Sequence, residues 1–177
     1  MFKFLSDETN NGFEWESIGD ASEGRRNLGE EMPVLVYRLF QYTMRDVLNK
    51  KLGSDETVEI FRKAGHLAGE EFASNMLNVR LPFDQFVAQL QQTLKDVKVG
   101  ILRVEEVSAD ASEMLLSVAE DLDCSGLPIT GEVVCNYDEG FIAGILKTYT
   151  GKYYVVREVD CWSKGDRVCR FTAKTEK

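Results

Sequence analysis

The sequence lacks long apolar runs: no stretch approaches the roughly 18 consecutive apolar residues that a membrane-spanning helix needs. Its first residues contain no basic segment followed by an apolar block, so we expect no secretory signal. Basic side chains are also in the minority, with 21 Lys and Arg against 30 Asp and Glu, and the net charge of −9 argues against nucleic acid as a partner. These absences predict a cytoplasmic protein that binds neither a membrane nor nucleic acid.

Recognisable catalytic sets are scarce as well. There is one histidine, His66, and no motif places it in a Ser/His/Asp set or beside a nucleophilic cysteine. The scattered glycines form neither a phosphate-binding loop nor a nicotinamide- or flavin-binding fingerprint. An enzyme is therefore the less favoured class, although the cysteines leave a redox protein as an alternative.

What the chain does have is enough length and apolar periodicity for one core. Its 177 residues are 44% hydrophobic, as in an ordinary globular domain. Residues 1–28 predict an irregular arm, and residues 29–177 predict a single domain. Apolar spacing predicts helices over residues 30–52, 55–77, 83–97 and 136–149, and β-rich runs predict a hairpin on each side of the last helix. The predicted fold class is α+β, with a helical layer packed on an antiparallel sheet.

The cysteines lie in the carboxy-terminal third of the chain, at Cys124, Cys135, Cys161 and Cys169. In a reducing compartment they are better explained as ligands, reactive thiols or core residues than as disulfides. A three-residue turn would place Cys161 and Cys169 opposite each other on the terminal hairpin, close enough to share a metal or to form a disulfide. Glu158 could join them only if its strand bends or bulges near Asp160.

Cys135 lies at the start of the last predicted helix, where the helix dipole favours a thiolate. Three or four thiolates, with or without a carboxylate, suit a closed tetrahedral zinc site. Free cysteines are also common as small buried hydrophobes. The residues alone therefore leave a metal site and a filled core as two open interpretations.

The stretch from Cys124 onward, "CSGLPITGEVVCNYDEGFIAGILKTYTGKYYVVREVDCWSKGDRVCRF", resembles the 4-vinyl reductase domain family. The shared pattern is a cysteine, a glycine-rich amphipathic helix, Glu-x-x-Cys, Gly-Asp and a final Cys-x-Phe, with the motif region at residues 115–177. The resemblance implies a fold related to subunits of vesicle-trafficking complexes and to haem-NO-binding sensors. It also implies small-molecule sensing, as in phenol- and xylene-responsive transcription activators.

The same resemblance implies a metal. Phenol-sensing members of the family hold zinc with three cysteines and one glutamate, and the matching residues here are Cys135, Glu158, Cys161 and Cys169. Cys124 has no counterpart in that set and could replace Glu158 in an all-thiolate site. Four thiolates would also suit an iron–sulfur cluster, which remains an alternative cofactor.

A closed metal site leaves no open position for chemistry, so we expect function in an apolar pocket between the helices and the sheet. The expected ligand is a small hydrophobic or aromatic molecule, bound by a homodimer that passes its signal to a downstream protein. The candidate pocket residues are Tyr37, Phe40, Phe61, His66, Met114, Phe141, Ile145 and Tyr149. The alternatives are a redox or iron–sulfur protein and a scaffold or adaptor of the trafficking-subunit fold.

Overall fold

A computed structural model describes residues 12–176, and the chain divides into two compact units at Glu31/Met32. Within the described part of the first unit lie a single 3₁₀ turn, Trp15–Ile18, and the short helix α1, Ala21–Gly24. Asp20 caps α1, because its carboxylate accepts a hydrogen bond from the Glu23 backbone N–H at 3.0 Å. The predicted arm over residues 1–28 falls partly outside the described residues, which begin at residue 12.

The second unit is a helical layer on one antiparallel sheet. Its helices are α2 (Val34–Leu52), α3 (Ser54–Met76), α4 (Phe83–Asp96) and α5 (Asn136–Thr150), and its strands are β1 (Ile101–Val107), β2 (Glu113–Ala119), β3 (Tyr154–Asp160) and β4 (Cys169–Thr175). The strands are ordered β1-β2-β4-β3, and every neighbouring pair is antiparallel. The predicted α+β class is confirmed. Over residues 12–176, no helix combines the length and apolarity needed to cross a bilayer.

The central helix α5 packs on β3 and lies unusually close to α3. Glycines on both helices make this approach possible: a Cβ added at Gly65 or Gly140 would overlap a backbone carbonyl of the opposite helix. The sheet contributes its inner face to the core, including the buried residues Met114, Leu116 and Phe171. This packing places the first turn of α5 against the ends of β3 and β4.

Helix α2 differs from the sequence prediction in its start and in its orientation. It begins at Val34 with Pro33 as the N-cap, rather than at residue 30 with the proline in its first turn. Its polar side faces the protein: Gln41 is buried, and the Arg38 side chain donates to the backbone carbonyls of Leu122 and Ser125, at 2.9 Å each. The apolar residues with helical spacing are exposed instead, namely Val36, Leu39, Phe40, Met44 and Val47.

Candidate functional site

The four cysteines converge from four separate segments. Cys124 follows β2 in a turn, Cys135 is the N-cap residue of α5, Cys161 follows the last residue of β3, and Cys169 is the first residue of β4. All four side chains are buried, and none is in a disulfide. The sulfur atom of Cys135 lies 3.8 Å from that of Cys169 and 4.0 Å from that of Cys161, and the sulfurs of Cys124 and Cys169 are 3.0 Å apart.

Glu158 reaches this cluster because its strand bulges. The register of β3 against β4 shifts between Glu158 and Asp160, so that Glu158 and Cys161 are both buried although they are three residues apart. One carboxylate oxygen, Oε2, accepts a hydrogen bond from the Cys135 backbone N–H at 3.0 Å. The other, Oε1, is buried and has no hydrogen-bond partner. The donor atoms of Glu158 and the four cysteines all lie within 4.8 Å of one another.

The spacing of these donors fits a tetrahedral metal. Zinc at about 2.3 Å from each of its thiolates holds two sulfurs about 3.8 Å apart, close to the separations that Cys135 makes with Cys161 and Cys169. Cys124 and Cys169 are closer than that, although 3.0 Å is well beyond the about 2.05 Å of a disulfide. The five residues therefore offer one more donor than a four-coordinate ion requires.

The ionisation of the cluster shows why a cation fits it. Hydrogen bonds from neighbouring thiols, Cys124 foremost, lower the pKa of Cys161, whereas the same kind of contact raises the pKa of Cys135. Burial, followed by the Cys161 thiolate, raises the pKa of Glu158 to about 8. Without a cation the cluster thus favours one thiolate and keeps its neighbours protonated. A divalent ion would favour ionisation of the other donors as well.

Two buried carboxyls adjoin the cluster, and the sequence interpretation missed both. Asp121 and Asp138 lie with Cys135 in a second group whose donor atoms are within 4.8 Å of one another. Asp121 Oδ1 accepts backbone hydrogen bonds from Asp123 at 2.9 Å and Cys124 at 3.0 Å. Burial, then the charge of Asp123, raises the pKa of Asp121 to about 7. A local signal was present, since each acid lies three residues from a cysteine in "DLDC" and "CNYD".

An apolar cavity begins at these carboxyls and extends between α4, α5 and the sheet. It leaves about 50 Å³ for the centre of a water-sized sphere. Its apolar wall includes Phe86 and Leu90 from α4 and the candidate pocket residues Met114, Phe141 and Ile145. Asp121 and Asp138 are the only ionisable side chains among the described residues that line it.

The other candidate pocket residues lie elsewhere. Tyr37, Phe40 and Phe61 line a surface groove between α2 and α3, and His66 lines a separate polar surface pocket, with Nδ1 3.4 Å from Glu70 Oε2. Tyr149 stacks on Phe86 with 3.9 Å between ring centroids. The structure thus brings three of the eight candidates into one cavity and distributes the rest.

The polar side of α2 connects to the same acidic loop. Asp123 Oδ1 accepts a hydrogen bond from the Tyr37 hydroxyl at 2.7 Å, and its Oδ2 accepts one from Gln41 at 2.6 Å. Arg45 donates to the Asn136 side chain at 2.9 Å and to the Val134 carbonyl at 2.8 Å. These bonds hold α2 against the segments that carry Cys124 and Cys135.

Comparison with known proteins places the chain among relatives of the same fold. Residues 114–175 match the family model of the 4-vinyl reductase domain. An uncharacterised protein of Methanocaldococcus jannaschii, MJ0150, is 26% identical over 151 residues, which cover 85% of this chain and 80% of that protein.

Three solved structures share the fold at low sequence identity. A vinyl-4-reductase family protein from Methanocaldococcus jannaschii superposes with a TM-score of 0.62 at 19% identity, covering 94% of this chain and 99% of that one. The phenol-responsive sensory domain of the transcription activator PoxR, crystallised with phenol, gives 0.60 at 17%, covering 84% and 78%. A trafficking protein particle complex subunit 3 from Naegleria fowleri, covalently bound to palmitic acid, gives 0.64 at 13%, covering 81% and 95%. The resemblance to the 4-vinyl reductase domain family that the sequence predicts is therefore confirmed, with the family match covering residues 114–175.

Proposed function

We propose that this chain is a small-molecule-binding sensor domain that holds an apolar ligand between α4, α5 and the sheet. The observation that carries the proposal is the apolar cavity itself, because close-packed interiors rarely leave space that an apolar molecule can enter. Two proteins that share the fold hold phenol and palmitic acid. In this chain the absence of an exposed thiol among the four buried cysteines speaks against the redox alternative.

The size of the cavity makes the proposal specific. Its 50 Å³ exceeds the about 10–15 Å³ that one water needs but falls short of the about 150 Å³ of an engineered cavity that binds benzene. A ligand with an aromatic ring therefore requires α4 to move outward. We expect α4 to be the mobile wall, since it packs mainly on β1 and carries Phe86 and Leu90 into the cavity.

Cavity filling tests this function. Val87 is a half-buried residue of the α4 wall, and Val87→Phe places a ring where the ligand would sit. We expect wild-type protein to bind toluene in a calorimetric titration and the Val87→Phe variant to lose that binding. Ala88→Phe is the matched control, because Ala88 is exposed on the same helix and should leave binding unchanged. Equal toluene binding by both variants would contradict the proposal.

We propose further that a structural zinc ion is held by Cys135, Cys161, Cys169 and Glu158. The support for Glu158 is its Oε1, a buried acceptor without a partner, whereas Cys124 is tolerated as a neutral buried thiol. Zinc held in this way would link α5 to the ends of β3 and β4 and lend them stability.

Elemental analysis of protein purified without added metal tests the zinc site. One zinc per chain is the expected result. Iron with a visible absorption band would instead favour the iron–sulfur alternative, and bare thiols would refute both. An all-thiolate site would be revealed by zinc that survives Glu158→Gln but not Cys124→Ala.

We also propose that the chain forms a homodimer through α2, which would leave other surfaces for a downstream protein. The exposed apolar residues of α2 follow one helical stripe, and Leu39 and Phe40 are 57% and 66% exposed. Light scattering on wild-type protein should give twice the chain mass, and Leu39→Glu should give a monomer. Lys51→Glu, an exposed change on the same helix, should remain dimeric. A monomeric wild type would refute the dimer and favour a different partner for this stripe.

A further inference from the structure

One oxygen atom at the wall of the apolar cavity has no hydrogen-bond partner. Asp138 comes from the first turn of α5 and is only 9% exposed, and its Oδ2 is buried and unpaired. The same side chain lines the cavity, where its neighbours are apolar except for Asp121. Buried polar atoms nearly always have a partner, so this orphan oxygen indicates that something absent from the protein itself completes it.

We propose that Asp138 is the hydrogen-bonding partner of the ligand, and that the ligand is a neutral, mostly apolar molecule bearing one hydroxyl group. This inference rests on the proposed function, because it names the chemical class of the molecule in the same cavity. The apolar body of the ligand contacts the α4 and sheet side chains, and its hydroxyl lies at the carboxyl end of the cavity.

A hydroxyl fits Asp138 for two reasons. It both donates and accepts one hydrogen bond, so it can pair with either protonation state of a carboxyl group. Burial, then the charge of Asp121, raises the pKa of Asp138 well above its usual range, which favours a neutral carboxyl that donates to the hydroxyl oxygen.

Charged ligands fit the site less well. An ammonium group has three N–H donors to satisfy, and the described lining offers it only the Asp121 and Asp138 carboxyls as ionisable partners. A carboxylate ligand would place a third acidic group beside those two in an apolar surrounding, where a like charge is disfavoured. The lining therefore selects for a neutral hydroxyl compound against amines and acids of the same shape.

The test compares probes of matched shape in the full chain with its metal: benzyl alcohol, ethylbenzene and benzoate. We expect wild-type protein to bind the first two and to bind benzoate much more weakly. In Asp138→Ala the ratio of the benzyl alcohol Kd to the ethylbenzene Kd should rise roughly three- to tenfold, the range expected for one lost hydrogen bond. The ratio cancels any general effect of the void, because both probes gain the same space.

Companion variants make the outcome decisive. Asp138→Asn keeps a hydrogen-bonding group and should retain the wild-type ratio, and Asp84→Ala, an exposed acid on α4, should have no effect. Asp138→Leu leaves no void and replaces the alanine variant if that variant does not fold. An unchanged ratio in the Ala or Leu variant, or tight benzoate binding by wild type, overturns the inference and leaves the proposed function intact. Failure of every probe to bind wild type overturns the proposed function itself.

Discussion

Shortening Leu90 tests whether the space beside α4 is a ligand site. Leu90 is 7% exposed and points from α4 into the cavity. Leu90→Ala removes three carbons, which costs about 2.4 kcal/mol at about 0.8 kcal/mol per buried methylene. The added void costs about 1 kcal/mol more for each ~40 Å³ that does not collapse. We therefore expect the free energy of unfolding to fall by about 3 kcal/mol.

Ligand binding should reverse most of that loss. The enlarged cavity accepts an aromatic ring with less movement of α4, so toluene should bind more tightly to Leu90→Ala than to wild type. At a free concentration about 100 times its Kd, toluene would restore about 2.7 kcal/mol. Urea denaturation followed by circular dichroism, with and without toluene, measures both quantities.

The matched control is Leu67→Ala, because Leu67 is 49% exposed and its loss should change stability by less than about 0.5 kcal/mol. If toluene stabilises Leu90→Ala no more than it stabilises wild type, the cavity is not the place where apolar molecules bind, and the argument from its geometry fails.

Three further predictions concern the cluster and the helix packing. Glu158→Gln should weaken zinc binding roughly 10- to 100-fold in a chelator competition, while Cys124→Ala should retain zinc; the reverse order would make Cys124 the ligand. In chelator-treated protein the raised pKa of Asp121, about 7 against an ordinary value of 3.8, means that the folded state holds its proton over that range; wild-type stability should therefore fall relative to Asp121→Asn as the pH rises from about 4 to about 7, and parallel pH profiles from urea titrations would count against it. Gly140→Ala should lower stability by about 1–3 kcal/mol, because its Cβ meets a backbone carbonyl of α3, whereas Gly24→Ala, with open space around it, should not; equal melting temperatures for the two variants would refute the close contact.

Local periodicity is enough to predict most elements, because helices and short hairpins are encoded by neighbouring residues. The sequence predicts α4 over residues 83–97, and the helix is observed at Phe83–Asp96; α5 ends at Thr150 with Gly151 in the left-handed conformation as the C-cap. The β2 strand begins one residue before its predicted start at Met114.

Spacing could not decide which way a helix faces. The apolar stripe of α2 has the expected period, yet it points outward, because the polar side of the helix is held by hydrogen bonds to Asp123 and to the Leu122 and Ser125 carbonyls. Those partners lie more than 80 positions away in the chain, so no local pattern reveals them. The distribution of the eight candidate pocket residues over separate surfaces has the same cause.

The sequence by itself determined the fold class, the family resemblance and the donor types that make a metal plausible, since these depend on residue identity, order and short-range spacing. Only the tertiary structure decided that a bulge turns Glu158 toward the cysteines and that Asp138 leaves an unpaired oxygen at an apolar cavity. Both depend on backbone shifts and packing between segments distant in sequence. Such contacts form only when the whole sheet and its helices close around one core.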